Sequence, residues 1–520
     1  MSLSKPNVSD ATKTKGRVDV TPSGMCVTCL DGCMGLCEVG QSAIKGRQVL
    51  YPQPFGKVTA GAEKDYPVDY SYFNIQGSCV GAVGIEADSD KAVFPVVDVS
   101  TEIGAHDKIK MKVPFFTGAL GSTEIARVNW EGMAIGAAIS GTLIIIGENV
   151  CGMDPEAELK KGKIVRSPEM ERRVRIFQEW QEDAGEIIVQ YNVEDGRLGV
   201  PEYVVEKLGV KAIEAKWGQG AKDIGGEVKL PSIERAKQLK DRGYIVYPDP
   251  DNPIVQEAYR AGAIAEFERH SRLGMIDKER FAEQFVSEAE RLRGLGAKYI
   301  SLKTGAYRPA DLARAVKCAS EAKVDLLTVD GSGGGTGMSP WRMMNEWGIP
   351  TVYIESLLYR FLRRLEEKGE FVPSVAIAGG ICLEDQVFKA IALGAPYIRA
   401  VCMGRASQAA AMVGKTVGDK ALKDGNNREE TLIKTFAGAA ALKEKYGKDF
   451  ERIPPAAIGM YSYYDRLSTG LKQLMAGARK FALNYIDRDD IMALTREAAE
   501  VSGISYLMDS DAQEVERILG

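Results

Sequence analysis

The stretch Asp325-Leu326-Leu327-Thr328-Val329-Asp330-Gly331-Ser332-Gly333-Gly334-Gly335-Thr336-Gly337-Met338-Ser339-Pro340 puts a short apolar run directly before a glycine-rich loop. Residues 325–330 have the length of a strand buried on both faces and are too short for a helix. The five glycines that follow let the backbone approach a ligand closely. Upstream, 309–322 has helical period. Downstream, the apolar run 374–380 is followed by a helical pattern over 383–393. This is the βα alternation of a parallel sheet. Working outward, eight runs of this kind appear, at 113–120, 143–147, 186–193, 212–218, 297–303, 325–330, 374–380 and 396–404. Eight βα units imply a closed barrel, typically of about 250 residues. The expected fold is therefore α/β, a (β/α)8 TIM barrel over 111–412. An insert at 221–274 is expected to carry its own helices at the active-site end. Residues 1–110 read as an irregular N-terminal module whose first twenty residues look disordered, and 413–520 as a helical extension packed on the barrel.

The chain has 520 residues, 45% hydrophobic and 27% charged, with a net charge of −5. No basic block is present, so nucleic acid is not an expected partner. The longest apolar stretch, 133–147, is interrupted by Gly136, Ser140, Gly141 and Thr142. A membrane span needs about 20 mostly apolar residues, and the polar N-terminus has no signal core. A cytoplasmic enzyme that does not enter membranes is the expectation.

Barrel active sites are built from the loops after the strands. Here the seventh strand ends in Gly379-Gly380 and the eighth in Gly404-Arg405, each leading into a helical pattern. Two such turns in succession form a phosphate cradle of backbone N–H groups and a helix N-terminus, to which Arg405 adds a charged donor. Taken singly, a Gly-Gly pair only makes a tight turn. No strand–GxGxxG–helix unit for a dinucleotide is seen, which points to FMN rather than FAD.

Four of nine cysteines fall in Cys26-x2-Cys29-x3-Cys33-x3-Cys37. Thiols at this density suit an iron–sulfur cluster, such as 4Fe-4S, or a tetrahedral zinc site. The spacing also fits free thiols on one helix face, although Asp31-Gly32 and Gly35 oppose a stable helix. Only two histidines are present, His106 and His270, too isolated to suggest a metal.

Several motifs together resemble the synthase domain of the glutamate synthase family. Residues 332–340, SGGGTGMSP, resemble its flavin loop HDGGTGASP. Thr117-Gly118-Ala119 lies in a turn similar to MSFGAMS, and Gly147-Glu148 ends a segment similar to SNSGEGG. Asp195-Gly196-Arg197 resembles SGRFGV. Lys216-Trp217-Gly218-Gln219-Gly220-Ala221-Lys222 resembles KxxQGAKPGEGG, and Ser301-Leu302-Lys303 resembles SVK. The resemblance covers about 110 to 405. It implies FMN held by Thr117, Gly118, Ala119, Arg197, Lys216, Lys303, Asp330, Gly331, Gly333, Gly334, Gly335, Thr336, Gly379, Gly380, Gly404 and Arg405. It implies a 2-oxo acid such as 2-oxoglutarate on Gln219 and Lys222, with Lys303 and Glu148 as catalytic groups. The chain departs from the family at Ser332 and Gly333, which replace a His and an Asp. Cluster cysteines after the eighth strand are also missing, with only Cys402 nearby.

The reading that follows is reductive amination of the oxo acid with ammonia or an amine. Electrons come from a cluster on Cys26, Cys29, Cys33 and Cys37, fed by a ferredoxin-like or NAD(P)H-oxidising partner, and the cluster module lies over the strand mouths. The alternatives are a flavin and iron–sulfur electron-transfer subunit, or another FMN-barrel oxidoreductase. A homo-oligomer is expected.

Overall fold

A computed structural model describes residues 27–46, 66–217, 227–230, 232–264, 266–274, 276–332, 347–425 and 427–520. The eight apolar runs all become parallel strands: β1 (Phe115–Leu120), β2 (Ile144–Ile146), β3 (Ile187–Tyr191), β4 (Ala212–Lys216), β5 (Tyr299–Thr304), β6 (Leu326–Asp330), β7 (Val375–Ala378) and β8 (Ile398–Met403). They pair in sequence, and β8 closes on β1 through Cys402 and Phe116. Side chains alternate across each strand, so Phe116, Ile188, Ala212, Leu326, Ala376 and Ala400 meet inside the barrel. A hairpin of Thr101–Ile103 and Ile109–Met111 closes the floor, with Ile103, Ile109 and Met111 joining that interior.

The helices used below are α1 (Glu38–Lys45), α2 (Glu124–Ile139), α3 (Thr351–Glu367), α4 (Glu384–Leu393), α5 (Arg405–Asp424) and α6 (Pro455–Gly477). The C-terminal helix α6 packs against α2, α4 and α5. Its Tyr464 ring meets Phe115 edge-on at 5.1 Å, on the outer side of β1. The α5–α6 crossing is made close by two glycines. A Cβ on Gly414 would lie 2.9 Å from Gly459 Cα.

The N-terminal segment was expected over the strand mouths, but α1 packs on the flank formed by α5 and α6. A Cβ on Gly40 would stand 3.4 Å from Val413, which lies about 12 Å along α5 from its mouth end at ~1.5 Å per residue. Helices with small residues offer a close seat there, which the charged mouth does not. The insert contains the expected helices, Ile233–Asp241 and Pro253–Arg260. It also contains an antiparallel sheet in the order Glu227–Leu230, Phe267–His270, Ile245–Tyr247. Near the chain's far end, Ile491–Ala493 pairs with Phe73–Ile75. Among the described residues no helix is long and apolar enough to cross a membrane.

Candidate active site

Toward the strand ends the barrel interior changes from apolar to polar. The register places Gln190 beside Glu214, and Lys216 beside Lys303. Gln190 Nε2 donates to Glu214 Oε1 at 2.5 Å. One residue pair higher, Lys216 Nζ meets Glu148 Oε1 at 2.8 Å, and Lys303 Nζ stands 3.7 Å from Asp330 Oδ2. Burial opposes ionisation of Glu148, but Lys216, with Lys303 behind it, holds the carboxyl below its ordinary value. Burial also opposes the charge on Lys303, yet Cys402, Asp330, Glu214 and Glu148 more than offset it, and its value rises. Burial raises the Glu214 carboxyl despite the nearby lysines. Three polar atoms in this layer, Gln190 Oε1, Glu214 Oε2 and Thr328 Oγ1, are buried without a hydrogen-bond partner among the described residues.

A cavity of about 1240 Å3 opens beside this layer. Small-molecule sites usually span ~300–1,000 Å3, so it has room for a cofactor and a small substrate together. Ala119, Glu148, Lys216, Gly404 and Arg405 line it. Helix α5 starts at Arg405 without a side-chain cap, and a Cβ on Gly404 would meet nothing within 4 Å. That is an open helix N-terminus, suited to an anion. Burial lowers Arg405 to about 10, with Asp330 acting against the shift.

The other expected residues divide. Gly118 faces the interior, where a Cβ would come within 2.6 Å of Cys402 Sγ and 3.9 Å of Lys303 Nζ. Thr117 turns outward, and its hydroxyl shares a 2.9 Å hydrogen bond with that of Tyr464. Gly331 and Gly379 are glycine because their backbones cross. A Cβ on Gly379 would lie 2.8 Å from Gly331 O, and Thr351 Oγ1 donates to Gly379 O at 2.8 Å. Gly380 has φ +83°. Ser332, where the family has His, is tied into the loop, donating to Trp347 O at 2.9 Å. Gln219, Lys222, Gly333, Gly334, Gly335 and Thr336 lie outside the described residues.

Arg197 is not brought into the cluster. Its guanidinium pairs with Glu194, three residues back on the same helical turn, at 2.9 Å, and it reaches Gly243 O in the insert. Its neighbour Asp195 is the organising group, which sequence reasoning passed over. Asp195 Oδ2 accepts the N–H of Asn149 at 2.9 Å and of Asn192 at 3.3 Å. It thereby ties the loop after β2, where Asn149 has φ +65°, to the loop after β3. Burial lifts the Asp195 carboxyl to about 7.

Cys29, Cys33 and Cys37 are buried, and Cys26 lies outside the described residues. Cys33 Sγ accepts Gly35 N–H at 3.3 Å, and Cys37 Sγ caps α1 by accepting Gly40 N–H at 3.4 Å. Among the described residues no three His, Cys, Asp or Glu side chains stand close enough to hold a metal ion.

Residues 279–411 match the family described as "Conserved region in glutamate synthase". The archaeal glutamate synthase [NADPH] of Methanocaldococcus jannaschii is 31% identical over 44% of this chain and 39% of its own length. The archaeal-type glutamate synthase [NADPH] of Thermotoga sp. (strain RQ2) is 28% identical over 60% of this chain and 51% of its own. The archaeal glutamate synthase [NADPH] of Archaeoglobus fulgidus is 27% identical over 59% of this chain and 49% of its own. The chain thus spans half or less of the length of these relatives, to within a percent or so. Over part of its barrel, this chain is similar to the glutamate synthases.

Proposed function

We propose that this chain is an FMN-dependent oxidoreductase of the glutamate synthase type, which reductively aminates a 2-oxo acid with ammonia or an amine. The observation that carries the reading is the juxtaposition of Lys216 and Lys303 in one buried layer beside a cavity that ends on an open helix N-terminus. The residues present fit FMN. Gly404, Arg405 and Gly380 would hold the phosphate, and Gly118, Ala119, Lys216, Lys303 and Asp330 would border the ring. Gly331 and Gly379 would shape the cradle behind it. Bound FMN would supply hydride transfer, which protein side chains cannot.

The side chains then divide the remaining tasks. Lys303 Nζ, held charged, stabilises negative charge developing nearby and can donate a proton. Glu148, held ionised, can accept one. Gln219 and Lys222 would bind the oxo acid's carboxylates, since an amide and an ammonium are suitable donors. Arg197 and Thr117 would act through their loops, because their side chains are engaged elsewhere. For the electron source, the four cysteines suggest an iron–sulfur cluster. The three in view do not converge on a metal position, so no step is routed through it. An iron and acid-labile sulfide assay decides between cluster, zinc and free thiols.

The test is anaerobic titration of the reduced protein with 2-oxoglutarate plus ammonia. Flavin reoxidation is the expected result. A flavin that stays reduced would favour an electron-transfer subunit with no substrate of its own, and extraction of FAD as the sole flavin would remove the FMN assignment.

A further inference from the structure

One wall of the mouth cavity is not made by the barrel. It comes from the insert sheet, whose central strand carries Arg269, paired in register with Val228 on one side and Val246 on the other. Arg269 is 2% exposed and lines the cavity with Glu148, Lys216 and Arg235. Its guanidinium lies over the Tyr244 ring at 5.0 Å, and Nη1 donates to Ser271 Oγ at 2.8 Å. Its Nε is buried with no partner among the described residues.

The carboxylates whose charge reaches Arg269 are Glu148, Glu194 and Asp195, and each is engaged by another group. Glu148 is paired with Lys216, and Glu194 with Arg197 and Arg272. Asp195 accepts backbone N–H groups through Oδ2. A buried cation with an unused donor is costly to keep unless an anion completes it. The planar guanidinium fork matches a carboxylate, and stacking on Tyr244 fixes its plane.

We propose that Arg269 binds a carboxylate of the small-molecule substrate, and that the insert sheet carrying it sets which acid the cavity accepts. The word substrate rests on the oxidoreductase reading, whereas the binding itself needs no flavin. The experiment is calorimetric titration of the full chain with succinate, 2-oxoglutarate and uncharged succinamide, with and without added FMN. Both dicarboxylates should bind and succinamide should not. Arg269→Gln should weaken dicarboxylate binding at least ten-fold and Arg269→Lys should recover part of it. Arg166→Ala, on an exposed strand paired to Glu158, should change nothing. A folded Arg269→Gln protein that binds as the wild type does would overturn the proposal, as would a wild type that binds neither acid.

Should the Gln variant fail to fold, wild-type crystals soaked in succinate decide. Density within hydrogen-bonding distance of the Arg269 guanidinium supports the assignment, and its absence overturns it. Dicarboxylate binding by a protein that takes up no FMN would break the flavin reading alone. FMN uptake without a carboxylate at Arg269 would break this one alone.

Discussion

At the floor of the barrel the side chains that meet are Phe116, Leu143, Ile145, Ile188, Leu326 and four alanines, under the Ile103 and Ile109 hairpin. A few ångströms along the same strands they are Gln190, Glu214, Lys216, Lys303 and Asp330. At the floor, apolar burial holds the strands together. The mouth keeps several buried polar atoms, Gln190 Oε1, Glu214 Oε2 and Thr328 Oγ1 among them, that have no partner among the described residues, which lowers stability and leaves them available to what enters. The same eight strands thus separate holding from acting along their length, as expected where local rules are broken only at a working site.

Four measurements probe that division. Phe116→Ala should cost about 3–5 kcal/mol of stability by denaturant midpoint while each folded molecule still takes up flavin. A loss below about 1 kcal/mol would mean the floor is not where the barrel is held.

Asp195, at the mouth, should act through pH. Its carboxyl is raised by burial to about 7 from 3.8, against the N–H bonds of Asn149 and Asn192. A raised folded value means that ionisation opposes folding. The contribution of this one group to stability is therefore fully present below about pH 4 and is lost as pH rises to about 7, on the order of 4 kcal/mol at ~1.36 kcal/mol per pH unit. Asp195→Asn should flatten this slope, and a slope identical to the wild type's would assign it to another group.

Arg405→Ala should weaken flavin binding by about 1.5–3 kcal/mol with little change in melting temperature. Unaltered flavin retention would take Arg405 out of the cradle. The smallest effect belongs to the boundary between floor and mouth. Gly118→Ala pushes a methyl against Cys402 Sγ and should cost about 1–3 kcal/mol by overpacking. Combining it with Cys402→Ala should restore most of that, so additive losses in thermal unfolding would refute the contact.

All eight barrel strands were legible because each is a short apolar run, buried on both faces, between helical periods. The helical segments at 309–322 and 383–393 lie within one residue of the observed helices, Pro309–Glu321 and Glu384–Leu393. The insert sheet was not legible. Its strands have three or four residues, and Arg269 sits in Phe267-Glu268-Arg269-His270, where the alternation that buries an arginine reads like any charged surface strand. Pairing of Phe73 with Ala493 crosses most of the chain and leaves no local signal. For Arg197 the motif located the residue but not its rotamer. Glu194 at i−3 captures it, while the adjacent Asp195 carries the fixed contacts.

The seat of α6 on the outer face of β1 has a consequence for how the molecule is made. Strands β8 and β1 close the cylinder, yet the helix that shields their seam leaves the ribosome roughly 50 residues after β8. At about 5–20 residues per second that is a delay of several seconds. During that interval the Phe115 ring, which is wholly buried in the finished protein, has no Tyr464 against it. A newly made barrel therefore spends its first seconds with a sticky strip along one side, and translation past Gly477 is what closes it.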